Sequence, residues 1–240
     1  MIGDGLSLTL HTVPPPEKGR FLAVALKRYQ REDFDLWHVA LLYRAEDGIE
    51  VRKLDLSGDN ELRDWSIDDE RSGWPGGYAW MPLPYDENET AALVALCRAV
   101  GATVRTLGPQ IRLGFTYEGG AFDPVRGTYT PVGSEYGLYC STCVLALLKG
   151  VGIELLDRTS WELTDTMTDA IAWFARQLKP IDAPHAARIQ RDVPCVVFHP
   201  REVVGGCHAG GYGVDFARAT FHGTLIENQY EQQFPRDAEI

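Results

Sequence analysis

The sequence predicts one α+β domain. Short apolar runs of strand length and longer helical patterns follow one another in mixed order, without the regular strand–helix alternation of a doubly wound parallel sheet. A hairpin signal joins two of the early strand-like runs. No linker or shift of composition divides the 240 residues, a length within reach of a single core.

The elements follow in order. Pro14-Pro15-Pro16 reads as a stiff, extended lead-in. Phe21 to Leu26 is a short apolar run, expected as a buried strand. Trp37 to Tyr43 and Ile49 to Leu54 flank Glu46-Asp47-Gly48, and Asp-Gly between two such runs predicts a hairpin. Residues 57–77 are polar and read as a long loop. Tyr78 to Leu83 is a further strand, ended by prolines. Asp86 to Val100 predicts the clearest helix. Asp86 suits the N-cap, Glu89 completes a capping-box pattern, Leu93, Leu96, Cys97 and Val100 form the apolar stripe, and Gly101 is its expected end.

Residues 105–138 read as a long irregular loop, a candidate wall for a functional site. Helices are expected from Cys140 to Lys149, stopped by Gly150, and from Leu163 to Leu178, stopped by Pro180. Val193 to Phe198 is a strand candidate. Residues 205–213 are glycine-rich and read as a mobile loop; no GK[ST] follows that would make them a phosphate loop. The tail, 220–240, is polar and expected to be peripheral.

Composition narrows the function. Asp and Glu number 34 against 23 Lys and Arg, a formal charge of −11. That leaves no basic surplus for a general nucleic-acid binder. No apolar run approaches the roughly 20 residues of a membrane helix. Met1 to Gly5 carries neither the basic nor the apolar segment of a signal peptide, so a cytoplasmic location is expected, with export by a dedicated secretion system as the alternative. The five cysteines, an odd number, then read as reduced thiols.

Cys140 has the placement that asks for chemistry. Gly133 and Gly137 lie in the loop that delivers it to the start of an apolar helix. There unpaired backbone N–H groups and the positive end of the helix dipole favour thiolate, the nucleophilic form. Cys143, one turn deeper beside Val144 and Leu147, reads as core, as does Cys97. A thiolate nucleophile also needs a base. His11, His185 and His222 read as surface residues; His38, opening the apolar run Val39 to Tyr43, is the candidate. Trp37, Trp74 and Trp80 read first as core residues and second as walls of a cleft.

Cys140-Ser141-Thr142-Cys143-Val144 resembles the nucleophile motif of the papain-like NlpC/P60 superfamily in its circularly permuted branch. That branch includes the lecithin:retinol acyltransferase-like proteins and related bacterial thiol hydrolases. Cys143 stands where the family has an aromatic or apolar residue. In the permuted branch a histidine at the start of a strand precedes the cysteine, as His38 does here by about a hundred residues. The resemblance covers these two motifs and the hairpin between strands. It implies an antiparallel sheet packed against helices, one of which carries the nucleophile, and a third polar residue roughly a dozen positions after the histidine. That points to Glu50, with Asp55 as the alternative. A carboxylate at either position would hold the imidazole and stabilise imidazolium, which the cation Arg52 could not. Glu50 and Asp55 both depart from the family's usual His, Asn or Gln.

The implied activity is cysteine-dependent hydrolysis or acyl transfer through a Cys140 thioester on a peptide, amide or lipid ester, with no cofactor and no metal. Three rivals stand beside it. Cys140 and Cys143 form a Cys-x-x-Cys, as in thiol–disulfide oxidoreductases, with Val193-Pro194-Cys195 like the proline-led strand there; but residues 128–139 are not the strong buried strand such a fold needs. Cys140, Cys143, Cys195, Cys207 and His208 are possible zinc ligands, without a second matching pair. A non-catalytic binding domain of papain-like fold is the third.

Overall fold

The computed structural model describes residues 10–12, 15–30, 35–45, 48–57, 61–74, 77–108, 111–164 and 167–235. Its architecture is α+β: a five-stranded antiparallel sheet with six helices among the described residues. The strands are β1 (Phe21–Gln30), β2 (Asp35–Arg44), β3 (Arg52–Leu56), β4 (Leu62–Ser66) and β5 (Ala79–Pro82), in the order β4-β3-β2-β1-β5.

The sheet's register sorts side chains by parity. β1 and β2 pair along their whole length, from Phe21 opposite Arg44 to Gln30 opposite Asp35. Val39, Leu41 and Tyr43 leave one face with Val24 and Leu26, into the main core under the helices. His38, Ala40 and Leu42 leave the other, which Tyr78, Trp80 and Ile67 cover. The β2–β3 ladder is short, running only from Leu41 opposite Leu54 to Tyr43 opposite Arg52. Both strands continue past it, so they part in the stretch where His38 and Asp55 lie. The tip of the connecting turn, Glu46 and Asp47, lies outside the described residues, as do Pro14 and Met1 to Gly5 of the N-terminal reading.

α1 (Glu87–Leu107) starts as expected. Asp86 accepts from the Glu89 backbone at 2.9 Å and Glu89 returns a bond to the Asp86 N–H at 3.0 Å. It does not stop at Gly101 but runs six residues further. Gly101 is there because a Cβ would lie 2.2 Å from Asp64 Oδ2. The helix crosses β4 at that point, and close approach, not termination, requires the glycine. Among the described residues α1 alone has the length and hydropathy to approach a membrane span. This differs from the sequence reading, in which no run approaches that length; its stripe of Leu93, Val94, Leu96, Cys97 and Val100 is used by the core.

α2 (Cys140–Gly150) is the central helix. Ser141 to Leu148 are all buried, the mark of a helix apolar all round. α3 (Thr168–Leu178) and α4 (Ala183–Ile189) build a smaller core with Leu113, Phe115 and Tyr139. The third helix therefore begins five residues later than Leu163, which belongs to a two-residue bridge with Cys195–Val196. Of the strand expected over 193–198 only that bridge forms.

Four further readings are corrected. Residues 57–77 contain β4, a strand on the sheet's edge. The glycine-rich stretch is not a loop throughout: α5 (Pro200–His208) runs through Gly205 and Gly206, and only residues 209–213 form turns. A Cβ on Gly205 would meet Ala219 O at 2.2 Å and Gly223 N at 2.5 Å. Gly205 and Gly223 let α5 lie directly on α6 (Phe216–Gln233). The tail is likewise no fringe, since α6 buries Ala219, Ile226 and Tyr230 and Tyr230 donates to Gly77 O at 2.6 Å. His185, read as a surface residue, is buried against the Tyr136 ring, and His222 meets His208, Nδ1 to Nδ1, at 2.7 Å.

Candidate active site

Cys140 is the first residue of α2, and the chain enters it extended at Tyr139. The entry is fixed from two sides. The Tyr139 N–H donates to Thr142 Oγ1 at 3.0 Å, and the Tyr139 hydroxyl is clamped on Phe198, accepting from its N–H at 2.7 Å and donating to its carbonyl at 2.9 Å. Leu138 bridges to Leu113, and Gly114 lies against Gly137 so closely that a Cβ on Gly114 would sit 2.9 Å from it. The helix start is thus held rigidly where β2 and β3 part.

There the side chains converge. His38 from β2 lies beside the Cys140 sulfur, close enough for each to shift the other's titration, and the Val39 backbone N–H also approaches that sulfur. His38 Nε2 donates to Asp55 Oδ2 of β3 at 2.7 Å. Nε2 being engaged, Nδ1 is the nitrogen left for the thiol. His38 and Asp55 are 8% and 4% exposed, while Cys140 is partly open. The Tyr29 and Tyr78 rings stand edge-on to the imidazole, at 6.1 and 6.2 Å between centroids.

Glu50, the preferred third residue, is not in the site. It precedes β3, and its carboxylate bonds Arg52 at 3.1 Å on the exposed side. The alternative, Asp55, takes the position. The reason is the length of the β2–β3 connection: the ladder places Ser57, not Glu50, level with His38, so the carboxylate near that level is Asp55.

The electrostatics favour separated charges. Burial opposes a charge on His38, yet the hydrogen bonds to Asp55 and Cys140 outweigh it and raise the imidazole to about 9. Burial also opposes a thiolate, but His38 and the Val39 N–H bring the Cys140 thiol below the ordinary range. Asp55, despite its burial, is held ionised by His38 and Lys53. The other four thiols differ: burial pushes Cys97, Cys143, Cys195 and Cys207 upwards. Cys143 is 1% exposed and does not line the cleft that Cys140 lines.

That cleft has a volume of about 1050 Å³. Its floor holds Cys140, His38 and Asp55, and its walls include Trp37, Phe115, Trp161, Trp173, Phe174 and Phe216. Of the three tryptophans considered, Trp37 lines it; Trp74 stacks on Tyr78, and Trp80 packs on His11. Trp161 and Trp173 were not foreseen, because an aromatic residue outside a motif has no sequence signature of cleft or core. The long loop contributes Leu113 and Phe115 to the wall. Its remainder is organised around Glu135, whose carboxylate accepts from the Glu118, Gly120 and Val132 N–H groups and from Tyr129. Among the described residues, no group of three or more His, Cys, Asp and Glu side chains is placed to hold a metal.

Lys53 and Tyr78 were also missed. Lys53 Nζ donates to Asp55 Oδ2 at 3.0 Å and to the Tyr78 hydroxyl at 3.1 Å. A signal existed in the pair Lys53 and Asp55, two opposite charges on the same face of a strand whose other face carries Leu54 and Leu56.

Compared with family models, with curated proteins and with solved structures, the chain matches none.

Proposed function

We propose that this protein is a cysteine-dependent hydrolase or acyltransferase, with Cys140 as nucleophile, His38 as acid–base and Asp55 as the residue that orients and charges the imidazole. One observation carries the reading: His38 bonds a buried carboxylate and lies beside the thiol at a helix start, and all three border one cleft. The order histidine strand, carboxylate strand, cysteine helix supports a papain-like fold of the circularly permuted NlpC/P60 type.

The chemistry follows from the placement. The Cys140 thiolate attacks a carbonyl carbon. The Cys140 backbone N–H, unpaired within the helix because it opens it, faces the oxyanion that forms. As that intermediate collapses, the carbon–nitrogen or carbon–oxygen bond breaks and imidazolium gives its proton to the leaving group. The acyl group stays on sulfur as a thioester. Neutral His38 then takes a proton from water, or from an amine or hydroxyl acceptor, as that nucleophile attacks. The acid, amide or ester leaves, and the thiolate–imidazolium pair is restored. Asp55 keeps the imidazole oriented throughout. The aromatic walls suit the apolar part of a peptide, amide or lipid-ester substrate.

The test is competitive labelling with an electrophilic thiol probe, read by peptide mass spectrometry. Cys140 should react at least about tenfold faster than the other cysteines near neutral pH, since only it combines exposure with a lowered pKa. A panel of activated esters and amides should then be turned over by the native protein and not by Cys140→Ser. Uniform slow labelling overturns the proposal. A Cys143→Ser protein as inactive as Cys140→Ser would favour the disulfide chemistry instead.

A further inference from the structure

The polar chain behind His38 does not end at Asp55. Lys53 is two residues earlier on β3, so both side chains leave the same face of the strand. It is 3% exposed. Besides its bonds to Asp55 and Tyr78, its ammonium lies 4.8 Å from the Tyr78 ring centroid. Asp55 Oδ2 receives both His38 Nε2 and Lys53 Nζ, while Oδ1 is buried without a partner. A single carboxylate oxygen therefore sits between two cations.

The charges of the reactive state can be counted. Thiolate, imidazolium, carboxylate and ammonium sum to zero. A buried set with a net charge is costly, whereas a balanced and hydrogen-bonded one is tolerated. Without Lys53 the remaining three of these groups would sum to one negative charge.

We propose that Lys53 is a positioning residue: its ammonium anchors the Asp55 carboxylate and balances its charge, so that Cys140 and His38 can rest as thiolate and imidazolium. The neighbouring groups do not replace it. Lys27 of β1 faces the same region, but its ammonium donates to Gly73 O at 3.3 Å and lies over the Tyr29 and Tyr78 rings. Burial, and then the charge of Lys53, disfavour the charge on Lys27. Tyr78 is pushed well above its ordinary range by burial and the charge of Asp55, and so stays a neutral phenol. From α2, the Cys143 thiol near Asp55 is kept protonated by burial. Trp65 of β4, opposite Lys53 in the ladder, carries no charge, and Arg63, opposite Asp55, bonds the Glu61 carboxylate at 3.4 Å with its guanidinium 4.6 Å from the Trp65 ring centroid.

The catalytic consequence rests on the hydrolase reading, but the coupling does not. It is read from the pH dependence of Cys140 alkylation by iodoacetamide, which follows the thiolate fraction whether or not a substrate is known. In Lys53→Met the acid limb should move up by about one pH unit or more, so the rate on that limb falls about tenfold. Lys53→Arg, which keeps the charge, should retain the native limb. Because Lys53 acts through Asp55, Lys53→Met in an Asp55→Asn background should move the limb no further. This pair of proteins gives the answer if Lys53→Met alone does not fold. A native limb in Lys53→Met, an Arg variant displaced as far as the Met variant, or a further displacement in the Asp55→Asn background each overturns the proposal. A native Cys140 no more reactive than an ordinary thiol would overturn this proposal as well, whereas a low native acid limb displaced by Lys53→Met, with no ester or amide turned over, would sink the hydrolase reading alone.

Discussion

Asp55→Asn isolates the charge of the third residue from its shape. Asparagine can still accept from His38 Nε2 through its amide oxygen, so the ring keeps a partner while the carboxylate charge is lost. The 2.7 Å contact places the two charge centres about 4 Å apart, where opposite charges attract by about 4 kcal/mol at an effective dielectric of 20. A second route gives a similar figure. Raising an imidazole from 6.5 to about 9 corresponds to about 3 kcal/mol, shared between Asp55 and Cys140. The share of Asp55 is then about 1–3 kcal/mol, or roughly a ten- to hundredfold loss of the charged pair. The assay is the rate of Cys140 alkylation against pH, alongside hydrolysis of an activated ester. Asp55→Asn should shift the acid limb upwards and lower hydrolysis by that factor. Glu50→Gln, which alters an exposed carboxylate bonded to Arg52, should behave as the native protein. An Asp55→Asn protein of native rate and pH profile, or a Glu50→Gln loss of equal size, would refute the assignment of the third residue.

Hydrolysis should also fall as pH rises through about 9, where His38 loses the proton it gives to the leaving group, while alkylation of the thiolate continues; parallel decline of both rates would contradict that division of roles. The same shift bears on stability. The folded-state value of His38 lies above the unfolded one, so its stabilisation is complete below about 6.5 and is lost as pH rises towards 9, a trend that thermal melts across that window can check. Tyr139→Phe removes both bonds to Phe198 and leaves its buried N–H and carbonyl unpaired, which should cost about 2–4 kcal/mol in denaturant unfolding. A cost within experimental error would show that the α2 entry is held by other contacts. Gly205→Ala forces a Cβ to within 2.2 Å of the Ala219 carbonyl, and separating α5 from α6 should cost about 1–3 kcal/mol, seen as a lower melting temperature; an unchanged melt would mean the helix pair is free to part.

How much of this was legible beforehand depended on whether the signal was local. The Asp86–Glu89 cap announces α1 because capping is an exchange of bonds within four residues. Cys140 at an apolar helix start, and His38 at the head of an apolar run, are legible for the same reason. Glycines misled wherever their use was non-local. Gly101 reads as a helix stop and Gly205-Gly206 as a loop, yet each lies inside a helix where another element presses in.

The sequence by itself determined the α+β class, the main strands, the two principal helices and the two residues, Cys140 and His38, that the structure brings to one cleft. Only the tertiary structure decided the third. Glu50 and Asp55 are both acids on the chain that follows His38, and spacing favoured the first. Which carboxylate faces the imidazole is set by the register of β2 against β3 and by where their ladder ends, and register is a property of paired strands. The same holds for Lys53. A lysine in a strand says nothing of its depth until the sheet folds over it and leaves Asp55 and Tyr78 as its partners.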